Sequence, residues 1–452
     1  MKDLTVGKES KLIFMFALPM LLGNVFQQLY NIVDSVIVGN FLGKNALAAV
    51  GASFPVIFVL ISLVIGLSMG SSVVISQYFG AKQYPQVKKA VDTLFVFLFF
   101  SSIVLTVVGL LTSRWIFTVM KLPQEIMEDA VLYYNIFLSG LIMMFGYNGT
   151  ASVLRGMGDS KTPLYFLIIS TILNIILVIV FIEFFKWGIA GAALATVIAQ
   201  TVAFILAIIY LNRYHELIHF SFKNIEFDRD IFLKSLKIGI PSGLQQTFLA
   251  LGMMALMRIV NDFGTDAIAA YAVAGRIDSF AALPAMNFSM ALSAFVGQNL
   301  GANKPERVKA GYKATLLMTT TFSLIVTAIT ILFSDKLMML FNHDPNVVKI
   351  GVSYLIIVSS FYVVFTAMFI NNGVMRGAGD TLIPMFITLF ALWVLRIPIS
   401  WYLSRTMGTD GIWWGIPIAW VFGLLASYTY YKTGRWKKKV IVKPLPAKSS
   451  EE

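Results

Sequence analysis

The 452-residue chain contains no cysteine and only three histidines. The first absence excludes disulfides, thiol chemistry and Cys-ligated metal sites in one step. His215, His219 and His343 fall outside the long apolar stretches, so no buried His metal site is expected, and no cofactor. Charge is also scarce, at 13% of residues, about half the share of an ordinary soluble domain. Acids are the scarcer sign: 23 Asp and Glu stand against 35 Lys and Arg, a net charge of +12. Hydrocarbon fills the gap. Hydrophobic residues make up 58% of the chain and mean hydropathy is +0.79. That balance excludes a water-soluble globule. A bilayer-spanning helix uses about 20 apolar residues, and this chain can supply about twelve of them.

Twelve apolar runs can be read. The first six are Leu12–Val38, Leu47–Tyr78, Val91–Leu111, Val131–Leu154, Pro163–Phe184 and Ile189–Leu211. The second six are Ser235–Val260, Ile268–Val296, Ala314–Phe333, Val352–Val374, Ile383–Leu403 and Ile412–Tyr431. The expected organisation is an N-terminal six-helix lobe over residues 1–211, a cytoplasmic linker over 212–234, a C-terminal lobe over 235–431 and a basic tail over 432–452. With the N-terminus inside, the cytoplasmic side holds 25 Lys and Arg, counting Lys237 at the inner edge of its run, and the outer loops hold seven. Arg258, Arg276 and Arg396 lie within runs. Positive charge is retained on the cytoplasmic side. The expectation is therefore a multi-pass cytoplasmic-membrane protein with both termini inside. The basic tail then reads as an anchor at an anionic leaflet rather than a nucleic-acid patch. No nucleic-acid partner is expected. The first run is too long and too polar for a cleavable signal peptide.

The chain is written twice. Leu154-Arg155-Gly156-Met157-Gly158-Asp159 recurs as Met375-Arg376-Gly377-Ala378-Gly379-Asp380, an offset of 221 from Arg155 to Arg376. The same offset carries Gln77, Gly80 and Ala81 onto Gln298, Gly301 and Ala302. An offset of 222 carries Pro19 onto Pro241, and 220 carries Gly188 and Gly191 onto Gly408 and Gly411. A near-constant shift means a duplicated six-helix unit. Six is even, so both copies enter the bilayer from the same side. Such parallel repeats are related by a pseudo-two-fold axis along the membrane normal, an arrangement suited to alternating access. The fold expected is all-α and integral to the membrane, with twelve transmembrane helices in two lobes. The Arg-Gly-x-Gly-Asp turns read as clasps between hairpin helices, Gly permitting the turn and Asp able to cap a helix.

An ionisable residue inside a membrane span is a functional candidate by default. Asp34 is the best case. It lies in the first run, preceded at helical spacing by Asn24, Gln27, Tyr30 and Asn31, which form one polar stripe. Among apolar walls a carboxylate loses hydration, so it can take up and release a proton near neutral pH. At offset 222, Asp34, Asn31 and Gln27 fall on Leu256, Met253 and Leu249. The scaffold was duplicated but the stripe was not, which points to an ion site in the N-terminal lobe alone. Asn148, Asn174, Thr196 and Gln200 could surround Asp34, though embedded polar groups also serve as helix glue. Arg276 and Asp278 could line a cavity. Arg258 and Glu183 fit the outer interface, Asp92 the inner edge, and Arg396 has no evident partner. Two apparent motifs carry nothing. Gly66-Leu67-Ser68-Met69-Gly70 matches a hydrolase nucleophile pattern, but inside a membrane run its small residues read as close helix packing. The sequon Asn148-Gly149-Thr150 is likewise embedded. The 21 Met and 37 Phe could line an adaptable cavity, although many of them face lipid.

With these residues in place the chain resembles the MATE (multidrug and toxic compound extrusion) family, most closely its bacterial DinF-like branch. The carriers are Pro19 through Asp34, Gln77-Tyr78-Phe79-Gly80-Ala81, Gln298-Asn299-Leu300-Gly301-Ala302 and both Arg-Gly-x-Gly-Asp turns. The resemblance spans essentially the whole chain. It implies a secondary transporter, not an enzyme, that antiports organic, often lipophilic cationic compounds against H⁺ or Na⁺. It also implies that Asp34 is the cation site, with Tyr30, Asn174 and Thr196 around it, and that Pro19 takes part in bending the first helix. Where some members carry a second N-lobe aspartate, this chain has Val178. Where others carry C-lobe acids, it offers Leu256, Asn371 and Asn372. With one carboxylate left, a proton is the expected coupling ion, with Na⁺ the alternative. The partners expected are small hydrophobic or cationic drugs and the bilayer, with the protein acting as a monomer. A lipid-linked precursor flippase of the same superfamily is the competing reading; it would call for a more cationic cavity. An intramembrane enzyme lacks a credible nucleophile and base, and a channel would not need a lone titratable carboxylate.

Overall fold

A computed structural model describes residues 2–214 and 225–442 of the chain. His215, His219 and parts of the expected linker and tail lie outside the described residues. Every regular element among the described residues is helical. Helix α1 (Glu9–Gly80) runs for 72 residues, too long for one crossing, and breaks at Gly43 with φ 84 and ψ −175. Only glycine takes up that backbone shape without strain. The break falls between the first two predicted runs. Then come α2 (Tyr84–Val119), α3 (Gln124–Ser139), α4 (Leu141–Gly156), α5 (Lys161–Ile179) with a wide π turn at Val180–Phe184, and α6 (Gly188–Tyr214). The second half holds α7 (Arg229–Asn261), α8 (Thr265–Gly301), α9 (Pro305–Leu332), the short α10 (Ser334–Met339), α11 (Pro345–Ser359) and α12 (Tyr362–Gly377). It closes with α13 (Leu382–Leu389), a π segment at Phe390–Arg396, α14 (Ile397–Met407) and α15 (Thr409–Thr433).

Nine helices among the described residues are long and apolar enough to cross a membrane, and two bent pairs bring the number to eleven. The two spans within α1 make it twelve. Two predicted runs are not continuous helices. α3 and α4 meet at 52°, and α11 and α12 at 49°. Apolarity, which marks a run, does not report where a helix bends.

The duplication reappears in backbone geometry. Gly43 and Gly264, related by the offset of 221, have φ/ψ of 84/−175 and 87/−177. Lys82 and Asn303 both have φ 57, and Gly158 and Gly379 have φ 85 and 92. In each Arg-Gly-x-Gly-Asp turn the Asp N–H donates to the carbonyl five residues back, at 2.8 Å for Asp159 and 2.9 Å for Asp380. Asp159 then caps α5, accepting from the Lys161 and Thr162 N–H groups at 3.1 Å each.

The chain forms two compact units. Among the described residues, unit 1 contains residues 22–75, 83–214 and 225–243, and unit 2 contains residues 3–21, 76–82 and 244–442. In both α1 and α7 the chain passes from one unit to the other, at Leu21–Leu22 and Gly243–Leu244, two residues after the repeat prolines Pro19 and Pro241. Within unit 1, Gly66 and Gly70 lie against Ser235, Gly239 and Gly243 of α7. A Cβ on Gly66 would stand 2.5 Å from the Gly243 Cα, and one on Gly70 2.3 Å from the Ser235 carbonyl. Helix packing, not a nucleophile turn, accounts for that motif. Within unit 2, Gly80 and Gly301 each approach the glutamine of the other repeat: a Cβ on Gly80 would fall 1.9 Å from the Gln298 carbonyl, and one on Gly301 1.9 Å from the Gln77 carbonyl. Gln298 Oε1 accepts the Leu4 N–H at 2.9 Å, and Gln77 Oε1 accepts the Ile441 N–H at 2.8 Å. Each of these repeat-related glutamines therefore grips a segment near one end of the chain.

Candidate functional site

The first span of α1 carries Gln27, Tyr30 and Asp34 on one face, at i, i+3 and i+7. Hydrogen bonds fasten this face to α5 and α6 within unit 1. Thr196 Oγ1 donates to the Ala192 carbonyl at 3.3 Å, which leaves its lone pairs to accept. The Tyr30 hydroxyl lies 3.4 Å from that oxygen, and Asn174 Nδ2 donates to it at 3.2 Å. Around these groups is a cleft of about 210 Å³, lined by Gln27, Tyr30, Ser170, Asn174, Thr196 and Gln200, among others. Among the described residues no Lys, Arg or His lines it.

Three buried oxygens in this region have no hydrogen-bond donor: Asp34 Oδ1, Asn174 Oδ1 and Gln200 Oε1. Burying an unpaired polar group costs about 1–3 kcal/mol, and more for a charged one. The surplus is of acceptors, and what an acceptor surplus takes is a proton or a metal cation. The charge of Asp34 acts on Tyr30 and on Tyr133 of α3, a residue only 8% exposed. Position 178, acidic in some members of the family the sequence resembles, is a fully buried valine.

The structure thus brings together Tyr30, Asn174 and Thr196, with Gln27 and Gln200 beside them; Asp34 follows Tyr30 by one helical turn and is not among the residues lining the cleft. Asn31 stands apart. It is exposed, and in place of the cleft its main-chain carbonyl accepts the Ser35 hydroxyl at 2.8 Å. One residue is about 100° of helix, enough to turn Asn31 off the Tyr30–Asp34 face. Asn148 spends its Nδ2 on the Met144 carbonyl of its own helix at 2.9 Å and does not line the cleft. Arg276 is exposed, and Asp278 belongs to unit 2. Pro19 is buried within α1, just ahead of the crossing between units. Tyr133, Ser170 and Thr171 were not expected at the site. The signal for Tyr133 was its repeat partner Tyr354, since a tyrosine kept in both copies marks a position in use. Among the described residues no group of three His, Asp or Glu could hold a metal ion.

The MatE family model matches residues 19–180 and again 241–402, so the second match starts at the offset that carries Pro19 onto Pro241. The chain belongs to the MatE family. Members of this family are transporters and not enzymes. Among similar MatE proteins is one from Bacillus subtilis (strain 168), "Probable multidrug resistance protein YpnP", 33% identical over 96% of this chain and 97% of its own. Another, from Thermotoga maritima, is "Probable multidrug resistance protein NorM", 26% identical over 97% and 95%. A MATE family transporter of the MOP superfamily, solved in an outward-facing conformation, superposes with a TM-score of 0.91 at 24% identity. That superposition covers 97% of this chain and 99% of the other, and it shows that the folds are shared.

Proposed function

We propose that this MatE protein is a multidrug exporter of the cytoplasmic membrane, antiporting lipophilic, often cationic compounds against protons, with Asp34 as the proton site. The observation that supports it is the acceptor surplus in unit 1: three unpartnered buried oxygens, one from a carboxylate, beside a cleft that no described Lys, Arg or His lines. Drug efflux is supported by the names of relatives across nearly their whole length. A carrier converts a gradient into export only if the ion binds its two facing states with different affinity. A carboxylate one helical turn beyond Tyr30, which belongs to a hydrogen-bonded set spanning α1, α5 and α6, has the means to do so. Protonated, Asp34 can donate to a neighbouring oxygen; ionised, it must be solvated or the helices must shift. Val178 removes one ligand that Na⁺ would need, since Na⁺ requires several oxygens together. The protein acts as a monomer in the bilayer with both termini cytoplasmic.

The test is export of tetraphenylphosphonium by the full chain in proteoliposomes. An imposed pH gradient in Na⁺-free buffer should drive it. Asp34→Asn should lower gradient-driven export about 5- to 150-fold, the span of typical coupling free energies, while size-exclusion behaviour is unchanged. Asparagine keeps the shape and much of the hydrogen bonding of a protonated aspartate but cannot release a proton. Robust export driven by a Na⁺ gradient alone would overturn proton coupling, and wild-type export by Asp34→Asn would overturn the site.

A further inference from the structure

Along α1 and α7 the chain passes between units, so each of these helices has its base in one unit and its remainder in the other. Residues 3–21, the base of α1, lie in unit 2, and residues 225–243, the base of α7, lie in unit 1. A helix of this kind transmits a displacement along its length only if its base is held. Both bases are held, and by side chains of the other half of the sequence.

Ahead of α1, residues 3–9 are fastened to α8 and to the start of α9. Leu4 is 1% exposed in the core of unit 2, and both of its main-chain groups are taken up. Its N–H donates to Gln298 Oε1 at 2.9 Å and its carbonyl accepts from Asn299 Nδ2 at 3.1 Å. Lys304 Nζ donates to the Thr5 carbonyl at 3.1 Å. Arg307, in the first turn of α9, adds three links from one guanidinium. Nη1 pairs with Glu9 Oε1 at 2.8 Å, Nη2 donates to the Gly7 carbonyl at 2.8 Å, and Nε donates to Asn299 Oδ1 at 3.0 Å. Only the planar fork of Arg reaches three such acceptors at once.

Ahead of α7 the fastening is to α2. Asp92, buried, accepts Lys88 Nζ at 2.7 Å and the Glu226 N–H at 3.4 Å on the same oxygen. The Asp228 N–H donates to Thr93 Oγ1 at 3.0 Å, and Lys89 Nζ lies 3.2 Å from Glu226 Oε2. α2 and α9 begin 221 residues apart, at Tyr84 and Pro305. The same helix of each repeat therefore holds the base of the crossing helix of the other repeat. The residues that do so are unlike. At that offset Asn299, Lys304 and Arg307 fall on Tyr78, Gln83 and Gln86, while Asp92 and Thr93 fall on Lys313 and Ala314. The attachment is common to both halves; the chemistry that makes it is not.

On the reading that the protein exports drug through Asp34, we infer that Arg307 and Asp92 are positioning residues that keep the bases of α1 and α7 fastened throughout the transport cycle. Arg307 acts through Glu9 and the Gly7 carbonyl on the helix that carries Asp34. With the base fixed, a displacement set off at Asp34 is delivered along α1. With the base loose, part of it is spent on moving the base, and proton binding drives less export.

The chain has no cysteine, so Glu9→Cys/Arg307→Cys replaces the ion pair with the only two thiols present. In proteoliposomes under a pH gradient the unlinked double variant should export tetraphenylphosphonium about 10-fold more slowly than the wild type, with its affinity for the compound unchanged. Joining the thiols with a short bismaleimide before reconstitution should restore the wild-type rate. Lys89→Cys/Glu226→Cys, linked in the same way at the other base, should export at the wild-type rate. A purely structural loss would not be repaired by the linker. A linker that stops export at either base, or an unlinked Glu9→Cys/Arg307→Cys protein that exports as the wild type does, would overturn the inference. Amide hydrogen exchange on the purified chain decides the fastening whether or not export is seen. The amides of residues 4–13 should be protected in the wild type at acidic and alkaline pH, with and without tetraphenylphosphonium. In Arg307→Ala they should exchange about 10-fold faster, with Arg307→Lys between. Protection lost by the wild type in any of these conditions, or kept in full by Arg307→Ala, would show that Arg307 does not hold the base. A wild type that exports nothing would overturn the proposed function instead.

Discussion

One hydroxyl, Thr196 Oγ1, joins α1 to α5 through the Tyr30 and Asn174 side chains. Thr196→Val keeps the branched shape and removes both bonds, at a cost of about 0.5–1.5 kcal/mol for each. Pre-organisation around Asp34 should suffer more than folding does. The expected outcome is a proton concentration for half-maximal export shifted by about 5- to 20-fold, with melting lowered only slightly, read from transport at several pH values. Leu256 shows what the repeat alone could not. It occupies the position of Asp34 at offset 222, yet it is fully buried with Ile259, Val260 and Ala267. The missing acid there reflects a repacked core. Asp34 was legible because a lone carboxylate in an apolar run is costly and therefore conspicuous. Asp278 was readable only as a possible cavity residue, because its contact with the Tyr354 hydroxyl comes from a helix distant in the sequence.

At the scale of elements, the second span of α1 packs closely against α7. Gly70→Ala would press a methyl to 2.3 Å from the Ser235 carbonyl, a backbone atom that cannot step aside. Overpacking of this kind costs about 1–3 kcal/mol. Gly51, on the same span, has nothing within 4 Å of an added Cβ. Gly51→Ala should hold or raise stability by about 1 kcal/mol, since alanine is the better helix former. Melting curves of the two variants in one detergent compare them directly, and equal losses would deny the tight contact. The packing was readable from the small residues at four-residue spacing. The bends between α3 and α4 and between α11 and α12 were not, because Gly140 and the pair Ser360–Phe361 sit inside runs of uniform hydropathy. Nor did the apolar pattern disclose that residues 3–21 pack in unit 2. That depends on contacts such as Gln298 with Leu4, from opposite halves of the sequence.

For the whole molecule, duplication by an even number of spans makes a demand that no single residue makes. Positions one repeat apart must lie on the same side of the membrane, whichever side that is. The absence of cysteine turns this into a clean experiment, because any introduced thiol is the only one in the chain. Lys82 and Asn303 are exposed in the matching turns after the second span of α1 and after α8. Lys121 and His343 are exposed in the matching connections after α2 and after α10. Lys82→Cys and Asn303→Cys should react with a membrane-impermeant maleimide only in inverted vesicles, because the Lys and Arg excess assigns their loops to the cytoplasm. Lys121→Cys and His343→Cys should react in intact cells. The charge rule could fail and exchange the two pairs between sides without harm to the duplication. A split within either pair could not be accommodated, because it would require an odd number of spans in one copy. Twelve crossings, with two of them merged in α1 and two others broken, leave no such odd count.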